Sequence, residues 1–272
     1  MKKIEFTKMV GSGNDFVVVS QLASLPVSRL KKIAKNICQR KYGIGADGLL
    51  VLEKSRVADV RMRIFNADGS EAEMCGNGAR CTALWQMANG KWQKNLRIET
   101  KAGIIEARVS GESVKIKLTD PVGYKEELPI EINGRIVKVN FINTGVPHIV
   151  IFVEGIDKID VAGIGRVLRY HKAFAPAGTN VDFVEIIDNA HIRARTYERG
   201  VEDETLACGT GVAACAIVAA LRSQAVSSRY SINVKTQSTE TLKVFFDRCG
   251  NKVNNVWLEG KVKAVYKGEY HV

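Results

Sequence analysis

Arg61-Met62-Arg63-Ile64-Phe65-Asn66 leads through Gly69 and Glu71 to Cys75-Gly76-Asn77-Gly78. Half a chain later, Arg193-Ala194-Arg195-Thr196-Tyr197-Glu198 leads through Gly200 and Glu204 to Cys208-Gly209-Thr210-Gly211. Self-similarity on this scale marks a duplicated architecture. Each copy opens with an alternating segment, which reads as a half-buried strand. Each closes with Cys-Gly-x-Gly running into an uninterrupted Ala/Leu/Val-rich stretch, which reads as an apolar helix. The first helix is expected to reach Met87, before the C-cap pair Asn89-Gly90, and the second to reach Arg222. A second echo sets Asn14-Asp15-Phe16-Val17 beside Asn180-Val181-Asp182-Phe183-Val184. Residues 104–109, 114–119, 181–187 and 253–258 also alternate like strands. The expected fold class is α/β (α+β): two pseudo-symmetric domains, each a mostly antiparallel sheet curled around a central helix, with the active site in the cleft between them. Gly111, Pro121 and Gly123 mark the boundary, giving domains over residues 1–118 and 119–262.

The chain has 272 residues, 46% of them hydrophobic and 25% charged, with five prolines, which excludes a disordered or fibrous class. Lys2, Lys3, Glu5 and Lys8 interrupt any apolar run at the start, so no export signal is expected. The longest uncharged run, residues 205–221, is shorter than a membrane span and contains Cys-Gly-Thr-Gly. Six cysteines in a chain of this size do not make a disulfide scaffold; they read as reduced thiols in the cytoplasm. The net charge of +11 raises the question of a polyanion partner. Its densest basic stretch, residues 30–41, carries Leu30, Ile33, Ala34, Ile37 and Cys38 at the spacing of a buried helical stripe. The lysines then fall on a wet face, and neither nucleic acid nor membrane is expected as a partner.

Gly43-Ile44-Gly45-Ala46-Asp47-Gly48 matches the dinucleotide fingerprint in letters but not in context. That fingerprint follows a strand and opens a helix. Here a basic helix precedes it and an apolar strand follows, so the glycines read as a turn. The pairs Cys75/Cys81 and Cys208/Cys215 are too widely spaced for a zinc site and have no nearby histidine, so no metal is expected. Cys81 and Cys215 fall inside the apolar helices, and Cys38 and Cys249 read as packing residues.

Cys75 and Cys208 differ from the rest, because each stands where a glycine-flanked turn enters a helix. The unpaired amides and the positive dipole end of a helix N-terminus are expected to lower a thiol's pKa and to hold a carboxylate. One such cysteine could simply pack in a turn; two at equivalent places in a repeat argue for a shared task. Two equivalent acid/base groups suit a substrate whose proton leaves one face of a carbon and returns to the other. Charge building on an adjacent carboxylate would be stabilised by the two helix N-termini.

The chain closely resembles the diaminopimelate epimerase family over essentially its full length. The resemblance rests on Lys8-Met9-Val10-Gly11-Ser12-Gly13-Asn14-Asp15-Phe16, Phe65-Asn66-Ala67-Asp68-Gly69-Ser70 and Met74-Cys75-Gly76-Asn77-Gly78-Ala79-Arg80-Cys81. In the second half it rests on Tyr197-Glu198-Arg199-Gly200 and Leu206-Ala207-Cys208-Gly209-Thr210-Gly211. It implies cofactor-independent, PLP-free epimerisation of LL-diaminopimelate to meso-diaminopimelate on the route to lysine and peptidoglycan, with Cys75 and Cys208 as the acid/base pair. It further implies that Gly76, Asn77, Gly209 and Thr210 receive substrate at the helix N-termini. Asn14, Asn66, Asn180, Glu198 and Arg199 match the positions that recognise the rest of the diamino diacid. His148, with Glu198, matches a position that tunes the cysteines. The resemblance also implies a homodimer and a last strand, residues 263–272, that returns to the first domain. Two positions depart from the commoner family sequence: Val146 stands in place of asparagine and Gly48 in place of glutamine. Both remove polar contacts to substrate, which leaves strict specificity open. The competing readings are a two-cysteine racemase of the proline or hydroxyproline type, which tends to carry histidine at the place of Asn77, and a basic nucleic-acid-binding protein.

Overall fold

The computed structural model describes residues 3–22, 25–90, 95–132, 134–223 and 227–271. It divides into two units, Met1–Ile116 with Glu259–Val272, and Lys117–Leu258.

Unit 1 contains β1 (Lys3–Gly11), β2 (Asn14–Val19), α1 (Val27–Ile37), β3 (Gly48–Glu53), β4 (Val60–Asn66), β5 (Glu71–Ala72), α2 (Gly76–Ala88), β6 (Asn95–Thr100), β7 (Gly103–Ser110) and β8 (Ser113–Lys117). Strands β1–β2 and β3–β4 pair antiparallel, as do β6–β7 and β7–β8, whereas β2–β3 and β4–β6 are parallel. Strand alternation sets the layers. Val17, Val19, Leu49, Val51 and Phe65 pack with the α1 stripe of Leu30, Ile33, Ala34 and Ile37. The alternate set faces α2, where Leu50 closes on Gly78 so tightly that an added methyl carbon would stand 3.2 Å from its Cδ2. Helix α2 is buried along nearly all its length, which explains its lack of an apolar stripe: it has no wet face.

Unit 2 contains β9 (Val122–Ile132), β10 (Arg135–Asn143), β11 (Pro147–Phe152), α3 (Val161–Arg169), β12 (Asn180–Ile186), β13 (His191–Glu198), β14 (Asp203–Thr205), α4 (Gly209–Arg222), β15 (Arg229–Lys235), β16 (Thr241–Cys249) and the first part of β17 (Lys252–His271). The pairing order of unit 1 recurs: β10–β11 antiparallel, β11–β12 parallel, β12–β13 antiparallel, β13–β15 parallel and β15–β16 antiparallel. Val181, Phe183 and Tyr197 pack with Val161 and Leu168 of α3, and Gly165 admits the Tyr197 ring. The alternate positions face α4, whose residues 211–220 are all buried. The last part of β17 lies antiparallel to β1, and β8 pairs with β17, which closes the strand circuit of unit 1. In unit 2 the long strand β9 holds the corresponding place beside β10.

The register makes the duplication concrete. Phe16, Gly48 and Asn66 form one row across β2, β3 and β4, and His148, Asn180 and Glu198 form the matching row across β11, β12 and β13. The second sequence echo is therefore not topological: Phe16 corresponds to His148, and Asn180 to Gly48. The likeness between Asn14-Asp15-Phe16-Val17 and residues 180–184 comes only from two strands that both begin with asparagine. The basic helix is also shorter than expected. It ends at Ile37, whose carbonyl accepts from the amides of Ile44 at 2.9 Å and Gly45 at 3.0 Å, leaving Lys41 in the turn. The strand expected over 253–258 is one part of a 20-residue strand. No helix among the described residues is long and apolar enough to cross a membrane.

Candidate active site

In unit 1, Cys75 is the extended N-cap of α2, with its carbonyl accepting from Ala79 at 2.9 Å. The amides of Gly76, Asn77 and Gly78 form the first helical turn, where no intrahelical acceptor exists for them. The Asn77 amide donates to Asn14 Oδ1 at 2.6 Å, and Asn14 donates to Asp47 Oδ2 at 3.0 Å. Asp47 and Asp15 are bridged by Arg40, and Lys8 Nζ lies 2.7 Å from Asp15 and also donates to the Gly45 carbonyl. Burial would raise the Asp15 pKa, but Arg40 and Lys8 outweigh it and hold the carboxyl at about 2. Arg80, wholly buried, donates to both Ser12 at 2.7 Å and Asn77 Oδ1 at 2.6 Å. The Asn77 side chain is thus held from both sides. Asn66 ends β4 opposite Gly48 and donates to Ser70 at 2.9 Å, apart from the Asn14–Asn77 chain.

In unit 2, Cys208 is the N-cap of α4, with its carbonyl accepting from Val212 at 2.8 Å. The sulfur lies 3.4 Å from Thr210 Oγ1, and Thr210 Oγ1 lies 3.0 Å from His148 Nε2. His148 Nδ1 lies 2.7 Å from Asp182 Oδ2, and Thr196 donates to the other Asp182 oxygen at 2.7 Å. Asn180 donates to the Pro147 carbonyl and accepts from the Arg199 amide at 2.8 Å, while the Arg199 guanidinium rests on the Ala177 carbonyl. Each half also braces its cysteine loop with the same ion pair, Arg63–Glu71 at 2.8 Å and Arg195–Glu204 at 2.7 Å.

The expected lowering of the thiol pKa does not hold at Cys208. Burial raises it well above the ordinary cysteine range, and the carboxyls of Glu198 and Asp182 raise it further. The Thr210 hydroxyl and Gly211 amide oppose this without prevailing. Burial likewise raises Glu198 above the usual carboxylate range, only partly offset by the Thr205 hydroxyl and His148. Burial and these carboxyls therefore favour the thiol form of Cys208 over the thiolate. Cys81 and Cys215 are fully buried helix-interior thiols, the former pushed up to about 12 by burial, in keeping with packing roles.

Each half thus brings its own expected residues together: Cys75, Gly76, Asn77 and Asn14 in unit 1, and Cys208, Gly209, Thr210, His148, Asn180, Glu198 and Arg199 in unit 2. Val146 is half-buried, one residue before Pro147 at the start of β11. Sequence reasoning missed Asp182, Thr196, Asp47 and Arg40. Asp182 had a visible signal, a carboxylate set between the apolar Val181 and Phe183 of its strand.

A family model described as diaminopimelate epimerase matches residues 6–123 and again residues 140–257. The chain is 42% identical to the diaminopimelate epimerase of Aquifex aeolicus over 97% of each chain. It is 41% identical to that of Methanocella arvoryzae over 100% of this chain and 98% of the relative. Among solved structures, a PhzF-family phenazine biosynthesis protein of Bacillus anthracis matches over 100% of both chains with a TM-score of 0.79 at 20% identity. A hydroxyproline epimerase from Agrobacterium vitis matches with a TM-score of 0.72 at 13% identity, over 99% of this chain and 91% of that one. At such identities the structural likenesses establish the fold. The duplicated Cys-Gly-x-Gly helices, the doubly matched family model and near-full-length relatives in both bacteria and archaea agree: the chain belongs to the diaminopimelate epimerase family.

Proposed function

We propose that this protein is a diaminopimelate epimerase that inverts one α-carbon with two thiols and no cofactor. One cysteine, as thiolate, takes the α-proton; the other, as thiol, delivers a proton to the opposite face. The Cα–H bond breaks as a new one forms, and the negative charge that develops spreads onto the α-carboxylate. The amides of Gly76 and Asn77 on one helix and Gly209 and Thr210 on the other stabilise that charge as an oxyanion hole does. Arg199 suits the distal carboxylate through a charge-assisted fork, and Asn14, Asn66 and Asn180 offer both donors and acceptors to the ammonium and carboxylate groups. Glu198 and His148 set the protonation of the neighbouring thiol. The lysine and peptidoglycan route, a cytoplasmic location and a homodimer are part of the same proposal.

The observation that carries this reading is the duplication itself: each half places a cysteine as the N-cap of a helix buried inside its own sheet. Conversion of LL- to meso-diaminopimelate by the purified protein, without added cofactor, tests it. Cys75→Ala and Cys208→Ala should each lower turnover by about 10³-fold, the scale of a positioned acid/base group. Full turnover in either variant, or preference for proline over diaminopimelate, would contradict it.

A further inference from the structure

Arg199 projects from a turn that unit 1 does not reproduce. Asn66 and Glu198 hold the same place in the two strand rows, so Ala67 stands where Arg199 does. The pairings Phe65–Glu71 and Tyr197–Glu204 bracket these turns, and the one in unit 2 is a residue longer. The shorter turn closes on its own side chains: Asn66 donates to Ser70, and Ser70 to Asp68 at 2.6 Å. The longer one reaches outward. It includes Glu202, whose backbone is left-handed at φ +62°, a conformation that a residue with a side chain seldom adopts. The Tyr197 hydroxyl fixes that conformation by donating to the Glu202 carbonyl at 2.8 Å. Glu202 Oε1 accepts from the Gly200 amide at 3.0 Å. It also accepts from Nε and Nη2 of Arg169, the last residue of α3, at 3.2 and 3.0 Å. The Tyr170 ring covers the same guanidinium at 4.5 Å, and Gly178 lies so close that a Cβ there would overlap Nη1. One residue before Gly178, the Ala177 carbonyl accepts from Arg199 Nη1 at 3.1 Å. Arg169 thus touches both segments that hold Arg199: the turn that carries its backbone and the loop that receives its guanidinium.

We propose that Arg169, paired with Glu202, is a positioning residue for Arg199, and that it sets how strongly the protein selects a substrate bearing a distal carboxylate. This rests on the reading of Arg199 as the residue that meets that carboxylate. An arginine side chain left free to rotate must be ordered when a ligand binds, and that ordering weakens affinity. Held beforehand, its planar fork is ready for the ligand. The tether to Ala177 uses Nη1. A two-bond grip on a carboxylate uses Nε and Nη2, as Arg195 shows on Glu204 with both bonds at 2.7 Å. The two tasks therefore do not compete. Asn180 completes the arrangement from a second strand, accepting from the Arg199 amide at 2.8 Å and donating to the Pro147 carbonyl. Arg169 acts through Arg199, so its loss should be felt in binding and not in the chemical step.

The test is a double-mutant cycle on the full chain with Arg169→Gln and Arg199→Ala, read as KM and kcat for LL-diaminopimelate. Arg169→Gln should raise KM by about 10-fold and leave kcat within about 3-fold. Glu202→Gln, which keeps an acceptor for the Gly200 amide, should raise KM by about 3-fold. It carries the same cycle if Arg169→Gln fails to fold. Arg199→Ala should raise KM by about 10²-fold, and adding Arg169→Gln to it should change KM by less than about 2-fold. A lowered thermal unfolding midpoint with unchanged KM in Arg169→Gln and Glu202→Gln would make the ion pair merely structural and overturn the proposal. The same KM effect of Arg169→Gln with and without Arg199, or an effect confined to kcat, would overturn it too. These outcomes, alongside a large KM rise in Arg199→Ala, would sink the positioning role alone. Unchanged KM in Arg199→Ala would instead sink the reading of Arg199 as the carboxylate-binding residue.

Discussion

The two cysteines occupy the same backbone position in two copies of one scaffold, yet what surrounds them differs in kind. Around Cys75 the polar contacts run sideways along the loop, from Asn77 to Asn14 to Asp47 and on to Arg40, while Phe16, Leu50 and Ile64 fill the space beneath α2. Around Cys208 the polar contacts run downward into the core, through Thr210 and His148 to Asp182 and Thr196. The first arrangement fixes a side-chain amide at the rim; the second connects a sulfur to a titratable ring. Backbone symmetry therefore does not imply chemical symmetry. The duplicated strand–loop–helix positions a thiol at a helix N-terminus, and the residues beneath it decide what surrounds that thiol.

The sharpest way to break this comparison is at the two glycines in the first turns of the helices. Gly211→Ala would drive a methyl into Asp182 and should destabilise the protein by about 3 kcal/mol. Gly78→Ala meets a Leu50 methyl at 3.2 Å, which can turn aside, and Cys75 Cβ at an ordinary 3.7 Å, and the better helix propensity of alanine should leave the change near neutral. Urea unfolding midpoints of the two variants check this; equal losses would mean that the sites are not packed differently.

The ion pairs that brace the two loops should also differ. Arg195→Ala strands the largely buried Glu204 and should cost about 2 kcal/mol, whereas Arg63→Ala leaves Glu71 its partner Lys101 at 2.8 Å and should cost less. Equal losses in thermal unfolding would contradict this.

Acid should separate the halves again. Asp15 has a folded pKa of about 2, below its unfolded value of 3.8, so the stability it adds is complete above pH 4 and is lost as pH falls through 2. The shift corresponds to roughly 2 kcal/mol at most, given the partial exposure of Arg40. Asp15→Asn should flatten the fall of the unfolding midpoint between about pH 4 and pH 2 relative to the unaltered protein. Pro147 stands at the matching place in unit 2, so nothing there repeats the effect.

The smallest expected change is at Val146, which register places opposite Asn14 in the duplication. Val146→Asn should lower KM for diaminopimelate by about 3-fold through one added hydrogen bond, with kcat unchanged. An unaltered KM would mean that Val146 does not face substrate.

How much of this was legible in the sequence depended on how local the signal was. The two Cys-Gly-x-Gly helices and their preceding strands were readable because each is a contiguous pattern of small turn residues followed by an uninterrupted apolar run. The pairing of Phe16 with His148 was not, because register belongs to hydrogen bonds between distant strands; a shared Asn-x-Asp-type composition pointed to the wrong partner. The closure of unit 1 by β17 was implied by the family resemblance and not by the residue pattern: Val265 and Tyr266 are about half exposed, and the strand carries no alternation of its own there. The helix N-terminus argued for an acidic thiol at Cys208. Burial and two carboxyls, Glu198 and Asp182, reversed that, and only the packed structure shows how near they are.

The two-thiol claim is tested most directly by early-turnover isotope distribution in D₂O. LL-diaminopimelate is converted to a few per cent, and deuterium is measured at the α-carbon in both product and recovered substrate. Separate donor and acceptor groups predict that the meso product carries solvent deuterium while recovered LL substrate carries none. Deuterium in the recovered substrate at the same rate, or a product that retains the original proton, would mean that one group serves both faces.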